Sequence, residues 1–185
     1  MRFGIVFLFT AAAAFSAPAL SSVTVIGNSS AQSCFKAADS PARPTVDQLR
    51  QCDRALGEEA LSRRDLAATH VNRGVILVRM GRMGDAMHDF DAAMAIDPNE
   101  PESYLNKGAA MMRTGRPGEA LPLFSMALQK NTRRPALAYY GRGVAHEDLG
   151  DVQSAYMDYR RASTANPEWN VPREELARFA VRARR

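Results

Sequence analysis

The stretch NRGVILVRMGRMGDAMHDFDAAM, residues 72–94, consists almost entirely of good helix formers, yet it carries glycines at Gly74, Gly81 and Gly84. Gly74 is the anomaly. A glycine inside a helix costs roughly 0.5–1 kcal/mol relative to alanine, so a chain that keeps one there must need the missing side chain for packing.

The pattern around Gly74 returns twice. HVNRGVILVRMGRMGDAMHDFDAAMAIDP (residues 70–98), YLNKGAAMMRTGRPGEALPLFSMALQKNT (104–132) and YYGRGVAHEDLGDVQSAYMDYRRASTANP (139–167) align without gaps. In each, a glycine is followed seven residues on by another, then five on by alanine, four on by an aromatic and three on by alanine. The positions are Gly74, Gly81, Ala86, Phe90 and Ala93; Gly108, Gly115, Ala120, Phe124 and Ala127; and Gly143, Gly150, Ala155, Tyr159 and Ala162. Fifteen matched positions indicate an internal repeat.

The spacing predicts a helical hairpin. A first helix ends at Gly81, Gly115 or Gly150, where glycine takes the left-handed conformation that closes a helix. A second starts two or three residues later, with Pro117 at a favoured first-turn position. The small residues of the two helices are expected to face each other so that the backbones approach closely, with Phe90, Phe124 and Tyr159 filling the space between hairpins. Pro98 and Pro167 end the second helices of repeats one and three.

These residues resemble the tetratricopeptide repeat, a helix-turn-helix unit of about 34 residues. On that resemblance the repeats occupy residues 67–100, 101–135 and 136–170, giving an all-α solenoid, a right-handed superhelix. Repeat two departs from the family at its end, where Thr132 replaces the usual proline and one residue is inserted near Arg133 and Arg134. His70 stands where repeats two and three keep Tyr104 and Tyr139. The resemblance implies a concave groove lined by the first helices, here Val71, Val75, Val78 and Arg79; Leu105, Ala109, Met112 and Arg113; and Tyr140 and Val144. Asn72 and Asn106 match a position where relatives bind the backbone of a peptide. Relatives that clamp a chaperone's terminal carboxylate use lysine and asparagine where this chain has Val71 and Val75, which argues against that subclass. An aliphatic strip of this length, left exposed, marks an interaction site, unless a neighbouring cap helix covers part of it.

The flanks read as caps. Residues 29–66 make a degenerate first hairpin, SAQSCFKAAD and VDQLRQCDRALGEEAL, in which Cys52 and Ala55 are spaced like the aromatic and alanine of a second helix. Residues 171–185 supply a last helix with Leu176, Phe179 and Ala180 on one face.

Composition bounds the function. The chain has 185 residues, 46% hydrophobic and 24% charged, and a net charge of +4 from interleaved acids and bases. That balance, without an aromatic-studded basic stripe, does not point to nucleic acid. The N-terminus has one arginine, an apolar run over residues 3–14 and the small-residue pattern Ala17-Pro18-Ala19. Residues 1–19 are therefore expected to be a removed secretory signal. A membrane anchor is the alternative, but about a dozen apolar residues fall short of a span. A lipidation site at Cys34 fits less well, because Gln32 suits a lipidation box poorly and the apolar run ends far upstream. Export to a periplasmic or extracellular space would make the even pair Cys34 and Cys52 a disulfide rather than two buried thiols.

Catalytic chemistry is not legible. His70, His88 and His146 are isolated, and no metal-ligand spacing, nucleophile elbow or phosphate loop occurs, so no catalytic residue, metal or cofactor is expected. The sequence reads as a non-catalytic adaptor binding another protein or peptide, monomeric rather than oligomeric. A self-assembling envelope protein is the alternative. Residues 20–28, rich in β-branched side chains, are expected to be disordered, to lie extended along Val71, Val75, Leu105, Met112 and Val144 in imitation of a partner, or to pad the cap beside them.

Overall fold

The computed structural model describes residues 22–24 and 29–182, the last three of these as helix backbone only. The expected signal, residues 1–19, lies outside the described residues, as does most of the segment 20–28. Among the described residues there are nine helices and no strand. They are α1 (Ser30–Asp39), α2 (Val46–Glu58), α3 (Arg63–Arg79), α4 (Met83–Ile96), α5 (Pro101–Arg113), α6 (Pro117–Gln129), α7 (Pro135–Asp148), α8 (Val152–Ala165) and α9 (Val171–Arg182). None is long and apolar enough to cross a membrane.

Successive pairs form antiparallel hairpins that stack into an all-α solenoid, with α1–α2 at one end and α9 at the other. Each of the three repeated turns is closed in the same way. Gly81, Gly115 and Gly150 adopt φ of 81°, 70° and 84°. The glycine N–H then donates to a carbonyl three residues back, and the next N–H donates to one five back, as in Arg82 to Leu77 at 2.9 Å and Arg116 to Met111 at 3.0 Å. Repeat two uses this closure a second time, at the point where its sequence lacks the terminal proline. Asn131 takes φ 59°, and the Thr132 N–H donates to the Ala127 carbonyl at 3.0 Å. The inserted residue is thus spent on a left-handed helix end.

Two boundaries differ from the sequence reading. α3 begins at Arg63, a turn before Ala67, because the Ser62 hydroxyl accepts the Asp65 N–H at 3.1 Å and caps the helix. α2 stops at Glu58, short of Leu61. The packing role of the repeated glycine also differs. It faces the aromatic ring of its own hairpin rather than the alanines. A Cβ at Gly74 would stand 2.5 Å from Cε1 of Phe90, and those at Gly108 and Gly143 would stand 3.0 Å from Phe124 and Tyr159. Phe90, Phe124 and Tyr159 are accordingly buried.

In the terminal hairpin, Cys34 of α1 and Cys52 of α2 are both buried, with sulfur atoms 2.09 Å apart. Cys52 occupies the place that the aromatic ring fills in the true repeats. At the other end, Leu176 and Phe179 of α9 pack against the cluster of Tyr140 and Tyr159, and Arg178 pairs with Glu147 at 3.0 Å.

Replacement of Gly74 by alanine should cost about 1–3 kcal/mol, the usual penalty for overpacking. Gly84→Ala, at a helical site with nothing within 4 Å of the new methyl, should be neutral or gain about 0.4–1 kcal/mol. Urea unfolding of the two variants checks this, and equal effects would show that the ring contact is not what Gly74 serves.

Candidate functional site

The inner face of the array is built by α3, α5 and α7, and at its N-terminal end it holds a short piece of extended chain. Asn72, fully buried on α3, uses both ends of its side-chain amide there. Its Oδ1 accepts the Val23 N–H at 2.7 Å, and its Nδ2 donates to the Val23 carbonyl at 2.7 Å. The N–H and C=O of one residue are thereby both satisfied without a sheet, as buried peptide groups require. The Val23 side chain is 0% exposed, in a socket formed with Ala31, Ala55, Ala68, Val71 and Ala93, with Phe35 and Leu61 packed beside them. The Ser22 hydroxyl donates to Asp39 Oδ1 at 2.8 Å, and Thr24 is exposed.

The other predicted groove residues do not form one open strip. Val75 and Val78 are buried in a cluster that includes Cys34, Ala37 and Ala38 of α1. Arg79 is no groove residue either. Its guanidinium donates to the carbonyls of Ala38 at 3.2 Å and Ser40 at 2.7 Å, and also to that of Ala42, closing the C-terminal end of α1. The expectation of a solvent-facing aliphatic floor is therefore corrected in repeat one: the terminal hairpin and Val23 cover it. In repeat two, Leu105 joins a buried cluster with Tyr104, Phe124 and Ala138, while Asn106 and Ala109 are buried. Met112 is half-buried against the clusters of both repeats two and three, and Arg113 is exposed. In repeat three, Tyr140 stacks with Tyr159 at 5.6 Å and edge-on to Trp169 at 5.0 Å, with Val144 buried in the same cluster. Burial pushes the Tyr140 hydroxyl pKa up to about 12, so it stays protonated. Asn72 and Asn106 occupy one repeat position, but its third occupant is Gly141, where a Cβ would meet Phe124 Cζ at 2.5 Å. No third amide fits there.

His70 takes part in a buried charge cluster between α3 and α4. His70 Nδ1 lies 2.9 Å from Asp89 Oδ1, and Arg73 holds both oxygens of the same carboxylate, through Nε at 2.8 Å and Nη2 at 2.7 Å. Arg142 holds Asp158 in the same way, at 2.7 and 2.9 Å. These buried pairs between the two helices of a hairpin escaped the sequence reading. The signal was present: Arg73 and Arg142 each precede the repeat glycine, and Asp89 and Asp158 each precede the repeat aromatic. Repeat two has Leu123 at the acidic position, and its Lys107 pairs with Asp91 of α4 instead. Among the described residues no group of three or more His, Cys, Asp or Glu side chains is placed to hold a metal ion.

A stack of helical hairpins whose inner face grips extended backbone through an asparagine amide defines a class of helical-repeat protein. The chain belongs to the tetratricopeptide repeat family, whose sequence model matches residues 71–135 and 105–168, together more than half of its length. No curated protein matches it. Among solved structures, a MamA fragment from Desulfovibrio magneticus RS-1 superposes with a TM-score of 0.65 at 21% identity, over 86% of this chain and 88% of that one. The first repeat domain of Spaghetti (RPAP3), bound to the HSP90 peptide SRMEEVD, gives 0.61 at 23% identity, over 70% and 100%. The first such domain of human RPAP3 gives 0.58 at 24%, over 62% and 89%. These likenesses show a shared fold.

The Asp89 cluster predicts a pH dependence. Burial alone would raise the carboxyl pKa, but the hydrogen bonds from Arg73 and His70 outweigh it and hold the value below the ordinary range. A lowered folded-state pKa contributes stability above the unfolded value, near 4, that is lost as pH falls through the folded one. Asp89→Asn should therefore melt lower than the parent at pH 7, by about 2 kcal/mol or more. The gap should narrow at pH 3. Thermal melts at both values check the sign.

Proposed function

We propose that the chain is an exported, non-catalytic adaptor that holds an extended polypeptide segment along the inner face of its solenoid. The observation carrying this reading is the two-bond grip of Asn72 on the Val23 backbone, since such bonds recognise main chain and leave side chains to be selected by the sockets around them. The likeness to a domain solved with an HSP90 peptide supports a polypeptide ligand. The buried, apolar Val71 and Val75 argue against recognition of an acidic chaperone tail. Beyond the covered repeat one, the inner face opens at Met112 and Arg113 and at the exposed Asp148. A partner's chain leaving the apolar end would meet charged side chains of both signs there.

A photo-crosslinking side chain at Arg113, on the inner face, should capture a discrete polypeptide from an envelope extract, whereas the same group at the exposed Gln129 of α6 should not. Equal capture at both sites defeats the groove reading.

Export and the disulfide belong to the same proposal. A removed signal ending at Ala19 would place the mature chain in an oxidising compartment, where the adjacent sulfurs of Cys34 and Cys52 stay bonded. The bridge closes a loop of sequence separation 18 in a hairpin that has a neighbour on one side only. It should contribute about 2–4 kcal/mol. Cys52→Ala should lower the melting temperature under oxidising conditions and much less under reductant. Two free thiols by mass spectrometry in protein recovered from the envelope would defeat the proposal.

A second reading, self-assembly, rests on one observation. Leu149, Val152 and Tyr156 are 52%, 46% and 39% exposed on the α7–α8 end of the array, whereas Met83 and Met87, the equivalents of the last two in repeat one, are half-buried against the core. Sedimentation velocity across a concentration series separates the two readings, since an adaptor stays monomeric and a self-assembling protein grows.

A further inference from the structure

Residues 22–24 make contacts that any extended polypeptide could make, except in one respect. The Asn72 bonds demand only a free N–H and C=O at a single residue, which excludes proline there and selects nothing else. Selection lies in the socket. Four of the side chains around Val23 are alanines, contributed by α1, α2, α3 and α4, and the valine is 0% exposed among them. A larger side chain would have to push helices apart, and an empty socket would leave a void between four helices. Any occupant must therefore match valine in size. Just before it, Asp39 accepts a hydrogen bond from the Ser22 hydroxyl, so the site favours a donor at the preceding residue.

The occupant is also tethered. Only residues 25–28 separate Thr24 from Ser29, the N-cap of α1. So short a link gives the segment an effective concentration in the millimolar range. A partner binding the same register must displace it, and its apparent affinity falls by the fraction of chains in which the socket is vacated.

Resting on the adaptor reading above, we propose that residues 22–24 are the chain's own stand-in for its partner. The partner at this register is an extended segment with a valine-sized apolar residue, preceded by a hydroxyl or cationic donor for Asp39. It enters only by displacing residues 22–24, like for like, so the core between α1 and α4 stays filled.

The test uses the full chain carrying Val23→Gly and a fluorescently labelled pentapeptide, SSVTV, the sequence of residues 21–25. The peptide should bind this variant at least about tenfold more tightly than the parent, the ratio expected when a buried valine side chain is removed from the competitor. Asn72→Ala in the same background should abolish binding, and the control peptide SSDTV should not bind. Equal binding to parent and variant overturns the proposal, as does no binding to a Val23→Gly chain that retains its helical circular dichroism. Should that variant fail to fold, hydrogen exchange at the Val23 amide of the parent decides. Saturating SSVTV should accelerate exchange at least about tenfold as the chain's own segment is expelled, and unchanged exchange overturns the proposal. Capture of a polypeptide from the Arg113 position is independent of these outcomes, so the stand-in can fail while the adaptor reading stands.

Discussion

A methyl group added to Gly74 would stand 2.5 Å from the Phe90 ring, and the equivalents at Gly108 and Gly143 would stand 3.0 Å from Phe124 and Tyr159. This contact fixes how closely the two helices of each hairpin approach, because the ring lies directly on the backbone of the first helix. Phe124 is held on two sides, by Gly108 of its own hairpin and by Gly141 of the next, where the clearance for a Cβ is again only 2.5 Å. The same device therefore sets spacing within a hairpin and, between repeats two and three, spacing across hairpins. Interiors packed this densely transmit any change in one ring to the neighbouring helix. The terminal hairpin has a cysteine in place of the ring, and its sulfur reaches Cys34 of the facing helix where an aromatic would have reached a glycine.

Register between hairpins is kept by charge. The residue before each repeat glycine is a cation, and in all three repeats it reaches the second helix of the preceding hairpin. Arg73 binds Asp53 of α2 at 2.9 Å, Lys107 binds Asp91 of α4, and Arg142 Nη1 donates to the Ser125 hydroxyl of α6 at 3.1 Å. Arg73 and Arg142 simultaneously hold Asp89 and Asp158 of their own hairpins. A buried pair adds little net stability over apolar side chains, since desolvation offsets the attraction, but breaking it exposes an uncompensated charge. A hairpin slipped along its neighbour would break the contact that its cation makes with the preceding hairpin, while the Asp89 and Asp158 pairs, internal to their hairpins, would persist. The aromatics set distance, and the arginines set alignment.

The fold was legible because its determinants are local and repeated. Glycine at each turn, alanine and an aromatic at fixed offsets, and proline at helix ends each act through their own backbone or through residues within one repeat. The Ser62 cap and the Asn131 helix end follow equally local rules and were missed because no second copy of either drew attention to it. The groove was less legible. Val71, Val75 and Val78 occupy inner-face positions as the repeat pattern implied, but whether such a face is open depends on what lies over it. Here α1 and Val23 lie over it, and no rule of spacing relates residues so far apart in sequence. Asn72, at a position where the resemblance implied contact with a bound peptide's backbone, bonds to the chain's own Val23, which lies in a cluster that includes Val71 but not Val75, Leu105, Met112 or Val144.

Arg79 shows why covering repeat one need not close the protein to partners. In a bare solenoid its guanidinium would project into the groove beside Val75 and Val78. With the terminal hairpin in place it caps the last carbonyls of α1, taking over the hydrogen bonds that a helix end otherwise leaves to water. The hairpin is thus anchored at the C-terminal end of α1 by Arg79 and within by the paired cysteines, through contacts that do not involve Val23. The socket itself is closed on its remaining side by a single extended residue with two hydrogen bonds and one buried side chain. Local stability follows the number of such contacts, so Val23, held by one neighbour's two hydrogen bonds and its own side chain, is released more readily than the helices that shape its socket. An exchange of occupants there leaves every helix–helix contact in place. That combination of a fixed mould and a replaceable filling is what selective binding of an extended chain requires.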